Sequence, residues 1–251
     1  MMATLKHSGV PRESPAGREA SRRGSRAACT SINNQSMTLT PIYWLVAAAL
    51  ALLYLPRVGD PPGRTRTMLK TLSVLALAFV ALVGGGFILL VIALILCAVG
   101  DGFLSRTGEG PLKAGMGAFA AGHLVYVALF LNLGGGIGAD PLRMALQVGV
   151  VLAAGGLARW LWPSLGAMRM PVAGYVVVVA LMTLLALGLP SSLWLVTVGA
   201  LMFLTSDALL AGEMFKLPAD SPARRWTTPA VWILYWGGQA AITAGFLYPT
   251  K

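Results

Sequence analysis

Beyond residue 36 the chain is a succession of long apolar runs separated by short polar, glycine-rich or proline-rich breaks. A helix needs about 20 apolar residues, within roughly 17–25, to cross the hydrocarbon of a bilayer. On that scale the runs predict eight spans: Thr40–Leu55, Thr67–Val83, Phe87–Leu104, Lys113–Leu133, Arg143–Trp162, Pro171–Gly188, Ser191–Ala211 and Thr228–Tyr248. The breaks carry strong helix-ending residues, among them Pro61-Pro62-Gly63, Gly84-Gly85-Gly86, Gly134-Gly135-Gly136, Pro163 and Leu189-Pro190. The first run is short enough to be the core of a signal peptide. No small-x-small cleavage site follows it before Pro56, so a retained helix is expected. The pattern therefore predicts an all-α fold, a polytopic membrane helical bundle of eight transmembrane helices, over residues 37–251.

Residues 1–36 are different in kind. They are rich in Ser and Arg and show no periodicity, and such a composition cannot bury a core, so disorder is expected. Lys6, Arg12, Arg18, Arg22, Arg23 and Arg26 outweigh Glu13 and Glu19. Two readings stand: an over-extended gene start, with translation beginning at Met37, or a cationic tail resting on anionic lipid.

Composition agrees with the apolar pattern. Of the 251 residues 57% are hydrophobic and 11% charged, against roughly 25% charged in a soluble domain. The 30 glycines suit helices that pack closely in lipid. The formal net charge of +10 matters through its placement. The connections after spans one, three, five and seven hold Arg57, Arg64, Arg66, Lys70, Arg106, Lys113, Arg159, Arg169, Lys216, Arg224 and Arg225, whereas those after spans two, four and six hold only Arg143. The first set should face the cytoplasm, with both termini outside, in a multi-pass protein of the cell membrane. The basic tail argues for the opposite orientation, and a start at Met37 removes the conflict. Cys29 lies in the tail and Cys97 in an apolar span, so no disulfide is expected. With only His7 and His123, a three-histidine zinc site cannot be built from one chain. Membrane lipids are the expected surroundings, and no nucleic-acid partner is expected.

Two apolar runs end on an acid. Span three closes with Asp101 and span seven with Asp207. Placing a carboxylate in hydrocarbon costs at least a few kcal/mol, so an intramembrane acid is a functional hypothesis by default. Both spans run toward the basic-loop side, and at 1.5 Å per residue each acid lies about 5 Å inside its helix end. Spans two, four and eight start from that side. They bring Lys70, then His123 and Tyr126 three residues apart on one helical face, then Tyr235 and Gln239 at i, i+4. Ser206 adjoins Asp207. Taken singly, each has a structural alternative: Lys70 snorkelling to the interface, the tyrosines as interfacial aromatics, His123 as a packing residue, Gln239 as helix–helix glue, and Asp101 in a structural pair with Lys70. Asp140, Asp220, Glu109 and Glu213 lie in or beside loops and are expected to be solvated.

Taken together these residues resemble a known pattern. Gly100-Asp101-Gly102-Phe103-Leu104 fits G-D-x-x-L, and Gly117-Ala118-Phe119 with His123 and Tyr126 fits G-x-F-x3-H-x2-Y. Ser206-Asp207 follows late in span seven, and Tyr235 with Gln239 in the last span. Their order and spacing over eight spans resemble the YhhN-type lysoplasmalogenase family across about residues 40 to 248. Thr71 follows Lys70 where the family usually has proline, a departure that bears on the shape of span two and not on the acids. The resemblance implies an intramembrane hydrolase that cleaves the vinyl ether of a lysoplasmalogen, or of a related lysolipid, to a fatty aldehyde and a glycerophospho-headgroup. It implies a lysophospholipid substrate and neither a metal nor an organic cofactor.

The residues suit that chemistry. Protonating the β-carbon of a vinyl ether gives an oxocarbenium ion that water captures, which calls for one protonated acid and one carboxylate. Two buried carboxyls at matched depth can divide those roles. Asp101 and Asp207 are the expected catalytic pair, with His123, Tyr126, Ser206, Tyr235 and Gln239 orienting, and Lys70 with nearby arginines receiving the phosphate. Three other readings are weaker. A proton- or cation-coupled transporter would use the same acids, but duplicated halves are not evident. An ester hydrolase would have Ser206 as its only candidate nucleophile, with no GxSxG-type elbow around it. An inert scaffold leaves the one-sided polar cluster without a purpose.

Overall fold

A computed structural model of the chain describes residues 40–138 and 140–250. The expected tail, and the choice of Met37 as its end, lie outside the described residues. Among the described residues eight α-helices follow in chain order: α1 (Thr40–Arg57), α2 (Arg64–Val83), α3 (Ile88–Leu104), α4 (Glu109–Asn132), α5 (Pro141–Leu161), α6 (Arg169–Leu187), α7 (Trp194–Phe215) and α8 (Arg224–Leu247). Seven are long and apolar enough to cross a membrane, and α3 is an apolar helix of 17 residues. At 1.5 Å per residue it spans about 26 Å, short for a bilayer core of about 30 Å but within the usual range.

The eight runs of the sequence are thus the eight helices, with displaced ends. α2 starts at Arg64 and α8 at Arg224, each earlier than its apolar run, because basic residues extend helices into the headgroup layer without adding hydropathy. α7 continues past Ala211 to Phe215. There Glu213, expected in solvent, is 4% exposed. Its carboxylate accepts from the Thr227 and Thr228 hydroxyls, and Arg224 stands 4.0 Å from it. Half-buried partners, invisible in a hydropathy trace, stabilise this charge inside the last turn.

Between α2 and α3 the chain reverses on Gly85, whose φ of 74° favours glycine. Asp140 caps α5 by accepting from the Arg143 N–H, with Pro141 in the first turn. At the other end of α3, the Ser105 hydroxyl donates to the Asp101 carbonyl and closes the final turn beneath the acid. Helix pairs then approach on glycine. A Cβ on Gly199 of α7 would stand 2.5 Å from the Gly238 carbonyl oxygen of α8, and one on Gly100 of α3 would stand 2.6 Å from the Phe119 ring of α4. Such contacts replace the hydrophobic drive that lipid cannot supply. The main core runs among α1, α2, α3, α4, α6, α7 and α8, including Leu77, Leu94, Tyr126, Met182, Phe203 and Ile242. α8 is tied to α1 by the Trp232 indole N–H on the Ala51 carbonyl, and to α2 by Trp236 on Ser73.

Candidate active site

The last turn of α3, the first half of α2 and the middle of α8 place three polar groups in contact. Asp101 is completely buried. Its Oδ1 stands 2.9 Å from Lys70 Nζ, and its Oδ2 accepts from the Tyr235 hydroxyl at 2.7 Å. The Lys70 side chain is 17% exposed, so the ion pair sits at the inner edge of an opening. A charge in a water-poor site persists when it is paired and hydrogen-bonded, and Asp101 has both kinds of partner.

Asp207 is held differently. Its Oδ2 accepts from the Tyr175 hydroxyl of α6 at 2.6 Å. Among the described residues no cation stands within ion-pairing distance of it, and no hydrogen bond joins the two carboxylates. Both acids border one cavity of about 1060 Å³. Lys70, Tyr175, Ser206 and Tyr235 line it with them. The Ser206 hydroxyl donates to the Val231 carbonyl of α8, which stitches α7 to α8. Toward the polar end the cavity is rimmed by Asp60, Arg66, Arg106 and Arg225. Arg66 Nη2 donates to the Val58 carbonyl, while its Nε is buried without a partner among the described residues. Arg224, by contrast, is spent on the Glu213, Leu217 and Pro218 carbonyls that end α7. The deeper limb is apolar, walled by Ala154, Leu157, Val176, Val179 and Leu204.

The remaining candidates form a layer behind this wall. His123 is fully buried, with Nδ1 2.6 Å from the Phe119 carbonyl and its ring edge-on to Tyr175 and Phe203. Its Nε2 has no partner among the described residues. The Tyr126 hydroxyl donates to Gln239 Oε1 at 2.6 Å. None of these three borders the cavity, so any effect they have on substrate passes through the residues in front of them. Lys70, Asp101, Ser206, Asp207 and Tyr235 are brought together; His123, Tyr126 and Gln239 are not in that group. Among the described residues no three His, Cys, Asp or Glu side chains come together as a metal site.

Sequence reasoning missed Tyr175. It is the lone aromatic in the aliphatic run of α6, the same signal that drew attention to Tyr126 and Tyr235. It went unread because span six offered no acid or histidine to pair with it. The hydrogen bond to Asp207 exists only once α6 lies beside α7.

The chain matches the YhhN family over residues 65–246. It is 33% identical over 164 residues to a lysoplasmalogenase of Mycobacterium bovis, covering 63% of this chain and 60% of the relative. It is 30% identical over 208 residues to lysoplasmalogenase TMEM86A of Homo sapiens, covering 75% and 82%, and 34% identical over 190 residues to lysoplasmalogenase TMEM86B of Sus scrofa, covering 72% and 75%. The chain thus spans about 60% of the length of the mycobacterial relative and a larger share of the mammalian ones. No solved structure matches it significantly. The matched segment runs from the start of α2 to the end of α8 and contains every residue of the cavity's acid cluster, so the chain belongs to the YhhN family.

Proposed function

We propose that the protein is a lysoplasmalogenase of the cell membrane, hydrolysing the vinyl ether of a single-chain glycerophospholipid. The observation that carries this is the pairing of two differently held acids on one cavity with a basic rim and an apolar limb. The sum of the reaction is R–CH=CH–O–R′ plus water giving R–CH2–CHO and R′–OH. An acid delivers a proton to the β-carbon, and the oxygen lone pair moves in to form the oxocarbenium ion. Water adds to the α-carbon as a base removes its proton, and the hemiacetal collapses to aldehyde and alcohol.

The partners of each acid suggest the division of labour. Lys70 balances a carboxylate on Asp101, which suits that residue to steady the cation and take the water's proton. Among the described residues Asp207 has a hydroxyl partner only, and it is less buried than Asp101, which suits it to carry the proton to carbon. Tyr175 fixes Oδ2 of Asp207 and leaves Oδ1 to hold that proton. Lys70 with Arg66 and Arg106 at the rim would receive the phosphate, where cations of fixed geometry are most effective. The chain would lie in the apolar limb. Carbon rather than carbonyl chemistry also leaves Ser206 without a nucleophilic role, as its bond to Val231 supports.

The test is release of fatty aldehyde from a lysoplasmenyl lipid by the purified protein in detergent micelles. Asp101→Asn and Asp207→Asn should each lose turnover, while both variants still bind a non-hydrolysable alkyl-ether analogue. Wild-type rates in either variant would refute the mechanism. An acid-dependent ion flux in proteoliposomes, with no aldehyde from the wild type, would favour a transporter instead.

A further inference from the structure

The cavity does not end among buried side chains. Ala153 of α5 borders it and is itself an exposed residue. Ala154 beside it and Leu157 one turn on continue the same wall. Opposite them, Leu204, Ala208 and Ala211 of α7 line the other side at i, i+4, i+7 spacing, one helical face. One limb of the cavity therefore lies between α5 and α7, and Ala153 is the most exposed of its α5 residues. α5 suits this arrangement: only 17% of its span is buried, the smallest share among the seven long helices. Toward the cytoplasmic-loop end the same seam is shut. The Trp160 ring of α5 lies against Gly212 of α7, where a Cβ would meet it at 3.6 Å, and Lys216 Nζ stands 5.4 Å from a Trp160 ring centroid.

Resting on the function proposed above, we infer that the α5–α7 seam is a lateral port, open at hydrocarbon depth, in which the lysolipid's single alkenyl chain lies with its far end reaching the bilayer. The two products then leave by different routes. The glycerophospho-headgroup departs through the rim of arginines into water. The fatty aldehyde slides sideways past Ala153 into lipid. The occupant is fixed by chemistry on both sides. The limb is continuous with the acids, so whatever fills it is attached to the reacting carbon. Its walls are aliphatic, so that occupant is a hydrocarbon chain. A port that opens into the bilayer sets no upper limit on chain length, unlike a closed pocket. Trp160, closed over Gly212 and held by Lys216, keeps headgroup-layer water from following the chain.

The experiment plugs the port. Ala153→Trp should lower kcat/KM for a hexadecenyl substrate by about tenfold or more, the cost of expelling a few buried methylenes. A hexenyl substrate, ten carbons shorter, should be turned over as by the wild type. Ala153→Leu should show the same bias to a smaller degree. Leu152→Trp, at an exposed neighbour that does not line the cavity, should leave both substrates unchanged. Native mass spectrometry with the non-hydrolysable hexadecyl-ether analogue supplies a readout independent of turnover, and Ala153→Trp should weaken that binding. Unchanged long-chain turnover in Ala153→Trp, or equal loss for both chain lengths in Ala153→Trp and Ala153→Leu, would overturn the port. Loss of analogue binding on plugging, with no aldehyde from the wild type, would instead sustain the port and refute the hydrolase.

Discussion

Replacing Lys70 by methionine should destabilise the bundle far more than replacing its partner. Asp101 has no exposed surface and two partners, Lys70 Nζ at 2.9 Å and the Tyr235 hydroxyl at 2.7 Å. Lys70→Met keeps the apolar stem but leaves a buried carboxylate with one neutral donor. Breaking a buried pair from one side costs about 3–5 kcal/mol. The pair lies at the edge of an opening and Tyr235 stays in place, so the lower end, about 3 kcal/mol, applies. A chain of this size loses about 2–4 °C of thermal midpoint per kcal/mol, which gives a fall of about 6–12 °C. Asp101→Asn should cost less, because the stranded Lys70, already 17% exposed, can turn its ammonium toward water. The double variant Lys70→Met with Asp101→Asn should recover most of the single-lysine loss, since no uncompensated charge remains. The assay is intrinsic tryptophan fluorescence during heating in one detergent at one scan rate, because unfolding in micelles is compared as a rate process. A Lys70→Met midpoint equal to the wild type, or a double variant no more stable than Lys70→Met, would refute the claim that charge compensation holds this site together.

Tyr175→Phe should lower kcat by about two- to tenfold, the value of one neutral hydrogen bond to Asp207 of about 0.5–1.5 kcal/mol, with KM little changed; an unchanged kcat in steady-state assays would remove Tyr175 from the site. Gly199→Ala should cost about 1–3 kcal/mol by forcing α7 from α8, whereas Gly155→Ala, with nothing within 4 Å of its added Cβ, should be neutral, both read as thermal midpoints. Equal behaviour of the two glycine variants would show that α7–α8 contact does not depend on that glycine.

The arginines at the rim illustrate why a list of charges is not yet a binding site. Arg66, Arg106, Arg224 and Arg225 all read alike in the sequence as loop cations. In the fold, Arg224 is consumed by the carbonyls that end α7, and Arg225 lies over the Trp226 ring, while Arg66 keeps a buried Nε without a partner among the described residues. The same distinction separates the polar residues of the spans. Depth and helical face brought Lys70, Asp101, Asp207 and Tyr235 to notice, and all four border the cavity. The identical argument also selected His123, Tyr126 and Gln239. Their helices rotate them into a layer behind Phe119, Tyr175 and Phe203, where they bond to one another or to their own backbone.

Hydropathy alone determined the eight helices, because in lipid every backbone group must be satisfied within its own segment, so apolar length and helix are one property. The acids, too, stood out unaided, because a carboxylate in such a run is expensive wherever the helix is placed. Which side chains meet was decided only by tertiary structure. Rotation about a helix axis changes no hydropathy average, yet it put Tyr175 on Asp207, turned Glu213 inward onto Thr227 and Thr228, and lined one cavity with side chains from every helix. Those rotations are set by where glycines let a neighbour come close, a backbone at Gly199 and the Phe119 ring at Gly100, and that pairing of distant positions has no local signature in the chain.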